Sequence, residues 1–342
     1  MKSAVRLFSL LLATGPTLVE AMSPAIAPAA RAATAPGYIT LLVGRGMYGK
    51  MTGGRLDPQV LTIDQVAPTL QSLGLWAAGN VIITRTAETT RTVVGGNAYA
   101  SWADWQRLAS SYGWQVIDAG TYALGSDPGT IRTQTCDTLG SFYDHGFSDA
   151  WGMYAYPSGQ YNATAAPIIN SCFAYARIYG SRLNTGPAIP PPYSIRAESL
   201  DGGNCNLAGQ PCSTIFKRNY DSPAIVTGRL SPGANQWGLV QFYHLVTGSR
   251  PISGTAPAWD CRNPDWRYHW SNKAEYYCAD DFFNAVRAAK TSWGANVGAA
   301  TPAQVALAWG RGNPIFPKAS PRLDNVTSHD QSKLPRNGEQ IP

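Results

Sequence analysis

An alternation running from Tyr38 almost to Gly310 constrains this chain most: short apolar runs of strand length trade places with stretches of helical periodicity. Residues 38–43 read as a buried strand, 66–73 as a helix interrupted early by Pro68, and 81–84 as the next strand. Ser101 caps a helix, with Asp104 three residues on and Trp105, Leu108, Ala109 and Tyr112 along one face. A strand is predicted at 114–117. Asp127 and Pro128 then open a helix whose inner side carries Ile131, Thr135, Leu139 and Phe142. A strand at 151–155, a helix at 165–175 and a strand at 237–242 follow. Phe282, Val286 and Ala289 mark another helix, and Thr301 with Pro302 starts the last. Such alternation predicts an α/β fold with a parallel sheet or barrel and helices outside. Residues 180–233 break the rhythm with a proline run, and are expected to be a surface excursion rather than a separate domain.

The N-terminal segment has a different character. Lys2 and Arg6 precede an apolar run, which gives way to small residues ending in Ala30, Arg31 and Ala32. This is the order of a secretory signal, so residues 1–33 are expected to be a leader, cleaved after Ala32 in preference to Ala27, which Pro28 follows. A membrane anchor needs about 20 apolar residues, and Gly15, Pro16 and Glu20 interrupt this run. The expectation is a secreted protein with one domain at 34–316, a disordered polar tail at 317–342 and no integral membrane segment after cleavage. In an exported chain, six cysteines read as disulfides. Chain proximity favours Cys136 with Cys172, Cys205 with Cys212, and Cys261 with Cys278. The formal charge of +6 is spread thinly and forms no basic block, which argues against a nucleic-acid partner.

In a parallel barrel, chemistry sits where strands end and loops begin. The predicted ends are Val43-Gly44-Arg45-Gly46, Ile117-Asp118-Ala119-Gly120, Ala155-Tyr156-Pro157-Ser158-Gly159 and Phe242-Tyr243-His244. Their order, with the approach Leu73-Gly74-Leu75-Trp76-Ala77 and the helix and strand from Trp102 to Ile117, resembles the polysaccharide deacetylase family, also called NodB-homology or carbohydrate esterase 4. The resemblance spans about Tyr38 to Gly310 and implies a distorted (β/α) barrel, a divalent metal such as zinc, and hydrolysis of N-acetyl groups on glycans.

The residues that would carry that reaction are mostly replaced. Where the resemblance places an Asp-Asp pair stand Gly44 and Arg45; its two metal-binding histidines fall on Gly120 and Leu124, and its base-orienting arginine on Ala155. None of these side chains ligates a metal, so no metal and no other cofactor is expected. His244 alone matches a catalytic position, that of the general acid; it equally reads as a packing residue. Asp118, on the same strand face as Gly120, is expected to pair with Arg45, and Asp149, Glu198 and Asp201 are the further carboxylates to weigh for glycoside hydrolysis. Trp266, Tyr268 and Trp270, together with Tyr156, are candidate sugar-contacting aromatics. The expected partner is a glycan or cell-wall polysaccharide, bound without the usual hydrolysis. An active carbohydrate hydrolase using His244 and a structural wall protein are the alternatives.

Overall fold

A computed structural model describes residues 36–120, 124–180, 182–186, 194–200, 223–250, 258–262, 268–269, 275–294 and 296–314. The leader, the tail, Asp201, Trp266, Trp270, Cys205 and Cys212 lie outside these residues.

Seven strands close a parallel barrel: β1 (Gly37–Val43), β2 (Ala77–Val81), β3 (Gln115–Asp118), β4 (Tyr154–Ala155), β5 (Ala176–Tyr179), β6 (Ser194–Leu200) and β7 (Gln236–Phe242). They lie side by side in chain order, and β7 returns to pair with β1, from Tyr38 opposite Trp237 to Val43 opposite Phe242. Of the parallel sheet and the barrel that the alternation left open, the barrel is formed, as the resemblance implied. Its distortion is local. β3 meets β4 through one register pair, Asp118 with Tyr154, and β4 meets β5 through two, so the wall is thinnest there.

The helices are α1 (Ile63–Ser72), α2 (Trp102–Tyr112), α3 (Pro128–Gln134), α4 (Leu139–Asp144), α5 (Ala165–Asn170), α6 (Pro223–Arg229), α7 (Ala279–Ser292) and α8 (Pro302–Ala308). Their starts follow from local chemistry. The Ser101 hydroxyl accepts from the Asp104 amide at 3.1 Å while the Asp104 carboxylate accepts from the Ser101 amide, a reciprocal cap. Asp127 caps α3 ahead of Pro128, and Thr301 with Gln304 repeats the box at α8. Ile63, Val66, Ala67 and Leu70 form the buried face of α1, which runs through Pro68.

Several sequence expectations are corrected. The second strand ends at Val81, where 81–84 was expected to begin it, because Ile83–Arg85 turns as a 3-10 helix. Ala150–Gly152 is likewise 3-10, leaving only Tyr154–Ala155 of the strand expected at 151–155. The helix expected at 165–175 stops at Asn170, and the chain that follows supplies β5. The segment expected to be a surface excursion contributes β6 and α6. What separates these cases is tertiary burial: Tyr175, Ala176, Ile195, Ala197 and Leu200 are nearly or wholly inaccessible.

Many of the described aromatics fill the core. Trp105, Trp114, Trp237, Tyr154, Tyr175, Phe142, Phe173 and Phe242 are fully buried. Trp237 on β7 lies 5.4 Å from the Tyr175 ring and 5.8 Å from Trp309, and its indole N–H donates to Thr40 Oγ1 at 2.9 Å.

Both expected disulfides whose cysteines are among the described residues are formed, Cys136–Cys172 and Cys261–Cys278. The first closes a 36-residue separation around the thin part of the wall. Losing it through Cys136→Ser with Cys172→Ser is expected to cost about 2–4 kcal/mol. Denaturant melts of the oxidised and double-serine proteins check this; midpoints that coincide would show that the bond stabilises nothing.

Candidate functional site

The strand ends surround a cavity of about 350 Å³, within the usual span of small-molecule sites. Arg45, Asn80, Arg85, Arg177, Gln241 and Tyr243 furnish most of its polar lining, with Tyr156 and Tyr179 on one side. Three arginines line it, and no carboxylate is among its described lining residues.

Each of these groups is placed by the barrel. Arg45 follows β1 in a left-handed conformation, φ 55°, and Ser158, which also lines the cavity, has φ 53°. Non-glycine residues rarely hold such angles, and strain of this kind tends to collect at binding sites. Arg45 Nη1 donates to Glu275 Oε1 at 2.6 Å, and its guanidinium stands 5.6 Å from the Tyr243 ring. Arg177 lies on β5 directly beside Ala155 of β4. The arginine that the resemblance places at Ala155 is thus absent, but a guanidinium arrives from the adjacent strand. Arg177 is 3% exposed, and neither its Nε nor its Nη1 finds an acceptor. Arg85 donates to the Tyr99 hydroxyl and lies 5.0 Å from that ring.

The floor is an amide pair. Asn80 Nδ2 of β2 donates to Gln241 Oε1 of β7 at 2.5 Å, passing across β1. This leaves Asn80 Oδ1 and Gln241 Nε2 buried without a partner, one acceptor and one donor at the cavity. Above them, the Tyr179 and Tyr243 hydroxyls hydrogen-bond at 2.6 Å, and burial pushes the Tyr243 phenol well above its usual pKa.

Of the positions that the resemblance reserves for the base and the metal ligands, Gly44 for the base, and Arg45, Gly120 and Leu124 for the ligands, Arg45 carries a paired guanidinium and the other three leave no room for a ligand or supply none. A Cβ added to Gly44 would overlap the Tyr243 ring, and one added to Gly120, whose φ is +65°, would meet the Tyr154 hydroxyl. Leu124 packs against the hydrophobic core. Among the described residues, no three His, Cys, Asp or Glu side chains converge. A divalent ion does not fit this donor set.

Comparison with known proteins adds little to this geometry. No family model matches the chain, and no curated protein matches it. Among solved structures, a family 4 carbohydrate esterase from Streptomyces lividans in complex with acetate aligns over 78% of this chain and 94% of its own, at TM-score 0.35 and 13% identity. At that level of likeness the barrel rests on its own strand order.

The remaining candidates fall elsewhere. His244 is 2% exposed and does not line the cavity. Its Nε2 lies 3.1 Å from Asn97 Oδ1, which Lys50 Nζ also approaches at 2.8 Å, so the ring is the donor. Burial first, then the charges of Lys50 and Arg45, lower its pKa to about 3. A neutral imidazole with its proton committed to Asn97 has the character of a packing residue.

Asp118 does not pair with Arg45 as expected. Fully buried, it accepts from the Gly120 amide at 2.6 Å and contacts Thr138 Oγ1, which also contacts the Thr135 carbonyl. One hydroxyl has one proton to give. Both Thr138 contacts are satisfied together when Asp118 is protonated and donates to Thr138, and burial raises its pKa to about 7. Glu198 is paired with Arg229, and Asp149, with its pKa raised by burial to about 6, also lies away from the cavity.

Of the aromatic candidates, Tyr156 is buried and lines the cavity. Tyr268 is described only through its backbone, paired with Trp259, while Trp266 and Trp270 lie outside the described residues. Arg177, Arg85, Asn80 and Gln241 were not anticipated. The signal for Arg177 was a lone charge within the apolar run Ala174 to Tyr179, a length that suits a strand better than the end of a helix.

Proposed function

We propose that this is an exported glycan-recognition protein, built on a polysaccharide deacetylase-like barrel, that does not carry out metal-dependent deacetylation. The observation that carries the reading is the occupation of one base corner and one ligand corner: Tyr243 stands where a side chain at position 44 would project, and Tyr154 where one at 120 would. A bound divalent ion would polarise an acetyl carbonyl and activate water. Guanidinium, phenol and amide groups at this mouth supply neither a Lewis acid nor a base poised near neutral pH. They supply hydrogen-bond donors and flat faces, which suit a sugar.

The hydrolase alternative needs two carboxylates across the cavity. Asp118, Asp149 and Glu198 all lie off its lining, and Asp118 and Glu198 are committed to internal partners. The secreted location agrees with the disulfides, and the described helices include none long and apolar enough to cross a membrane.

The mature protein, incubated with acetylated chitin and xylan oligosaccharides in the presence of added zinc, is expected to release no acetate above the buffer rate. A glycan array is expected to show saturable binding that weakens in Tyr156→Ala. Zinc-dependent acetate release would overturn the reading, and an array blank across all glycans would favour a structural role.

A further inference from the structure

The three guanidiniums at the mouth are unequally matched. Arg45 has Glu275 at 2.6 Å. Among the described residues Arg85 has the hydroxyl and ring of Tyr99 and no carboxylate, and Arg177 has the Tyr179 ring 4.9 Å from its Cζ and no hydrogen-bond acceptor for Nε or Nη1. A buried cation without a carboxylate is costly unless something else completes it. Here the uncompensated cation is nine-tenths buried and lines a cavity. The neighbouring amides add a polar requirement of their own: Gln241 Nε2 is an orphan donor and Asn80 Oδ1 an orphan acceptor, a pair that a hydroxyl, which both accepts and donates, would satisfy.

We propose that the cavity binds an acidic sugar, a uronic acid residue, with the carboxylate held by Arg177 and Arg85 and a ring hydroxyl by the Asn80–Gln241 pair. The inference rests on the glycan reading of the same cavity and goes further by naming the charge of the ligand. Tyr156, Tyr179 and Tyr243 border the cavity with apolar ring surface and polar edges, which separates a sugar acid from a bare anion. Arg45 lines the same cavity, its charge matched by Glu275.

The test is calorimetric titration of the mature protein with oligomers of galacturonic and glucuronic acid, beside the neutral galactose and glucose oligomers and beside acetate and lactate. The acidic oligomers are expected to bind, less tightly as salt is raised. Arg177→Met should weaken them about 10- to 100-fold, the usual loss for a hydrogen bond to a charged group. Arg85→Gln, at a part-exposed position, should weaken them in the same direction and decides the matter if Arg177→Met does not fold, as thermal unfolding will show.

Equal binding of neutral and acidic oligomers would overturn the charge inference and leave the glycan reading standing. Binding of neither would remove both. Acetate or lactate competing as well as uronate would overturn the sugar assignment, and a folded Arg177→Met protein that binds like the wild type would overturn the site.

Discussion

Replacing Arg229 by methionine is expected to cost about 3–5 kcal/mol of folding stability. Arg229 closes α6, and its Nε donates at 2.9 Å to Glu198 Oε2 on β6. Glu198 is 5% exposed and makes no other described hydrogen bond, so removing the guanidinium leaves an ionised carboxylate buried beside the barrel wall. The backbone nearby has no room to relax: a Cβ on Gly238 of β7 would overlap the Arg229 carbonyl. Urea denaturation measures the loss. Adding Glu198→Gln to Arg229→Met should recover part of it, since the second change removes the stranded charge. A single-variant loss below about 1 kcal/mol would mean that the pair behaves as a solvated surface bridge.

Asp118 and His244 should give opposite pH dependences. The folded His244 resists protonation down to about pH 3, whereas an unfolded imidazole takes a proton near 6.5, so this residue lowers stability as pH falls across that window. Asp118 keeps its proton up to about pH 7 when folded and loses it near 3.9 when unfolded, so it lowers stability as pH rises. From about pH 4 to 6.5 the two slopes oppose each other, each reaching about 1.4 kcal/mol per pH unit. Relative to wild type, Asp118→Asn should lose stability on acidification, its amide reproducing the donor and acceptor of the protonated acid. His244→Gln should gain stability on acidification. The comparison must be differential because Asp57 and Asp104 lose stability in acid in all three proteins. Burial acts to raise both pKa values, but hydrogen bonds from Arg250, Gln59 and Thr52 to Asp57, and from Arg91, Ser101 and Arg107 to Asp104, together with the arginine charges, lower them on balance. Parallel stability profiles for the three proteins would show that neither group has the protonation state assigned to it.

The parts of this fold legible in the sequence are those fixed by neighbours along the chain. Ser101 with Asp104, Asp127 with Pro128 and Thr301 with Pro302 each announce a helix within four residues, and all three helices form. β1 and β7 were legible because a strand buried on both faces shows a continuous apolar run. β5 and β6 were not. The apolar run of α5 leads into that of β5 with only a short break, and β6 carries Arg196 and Glu198, whose place in a barrel wall becomes intelligible only once Arg229 is seen beside it. The site divides the same way. Arg45 was placed at the mouth from the end of β1, but its partner Glu275 is remote in sequence, and the strand-face argument pointed instead to Asp118, which turns toward Thr138. Arg177 escaped with its strand.

The tyrosine that fills the space beside Gly44 also bears on the routes by which this barrel can change. An aspartate at position 44 collides with Tyr243, while removing the Tyr243 ring alone opens a void beside a strained Arg45 and breaks the bond to Tyr179. Position 120 poses the same conflict with Tyr154. Neither change is tolerable before the other, so their effects are strongly non-additive. A lineage carrying this arrangement would have to cross a fitness valley of paired substitutions to acquire a base and a metal ligand at those corners, whereas any exchange that keeps the arginines and tyrosines of the mouth remains one step away.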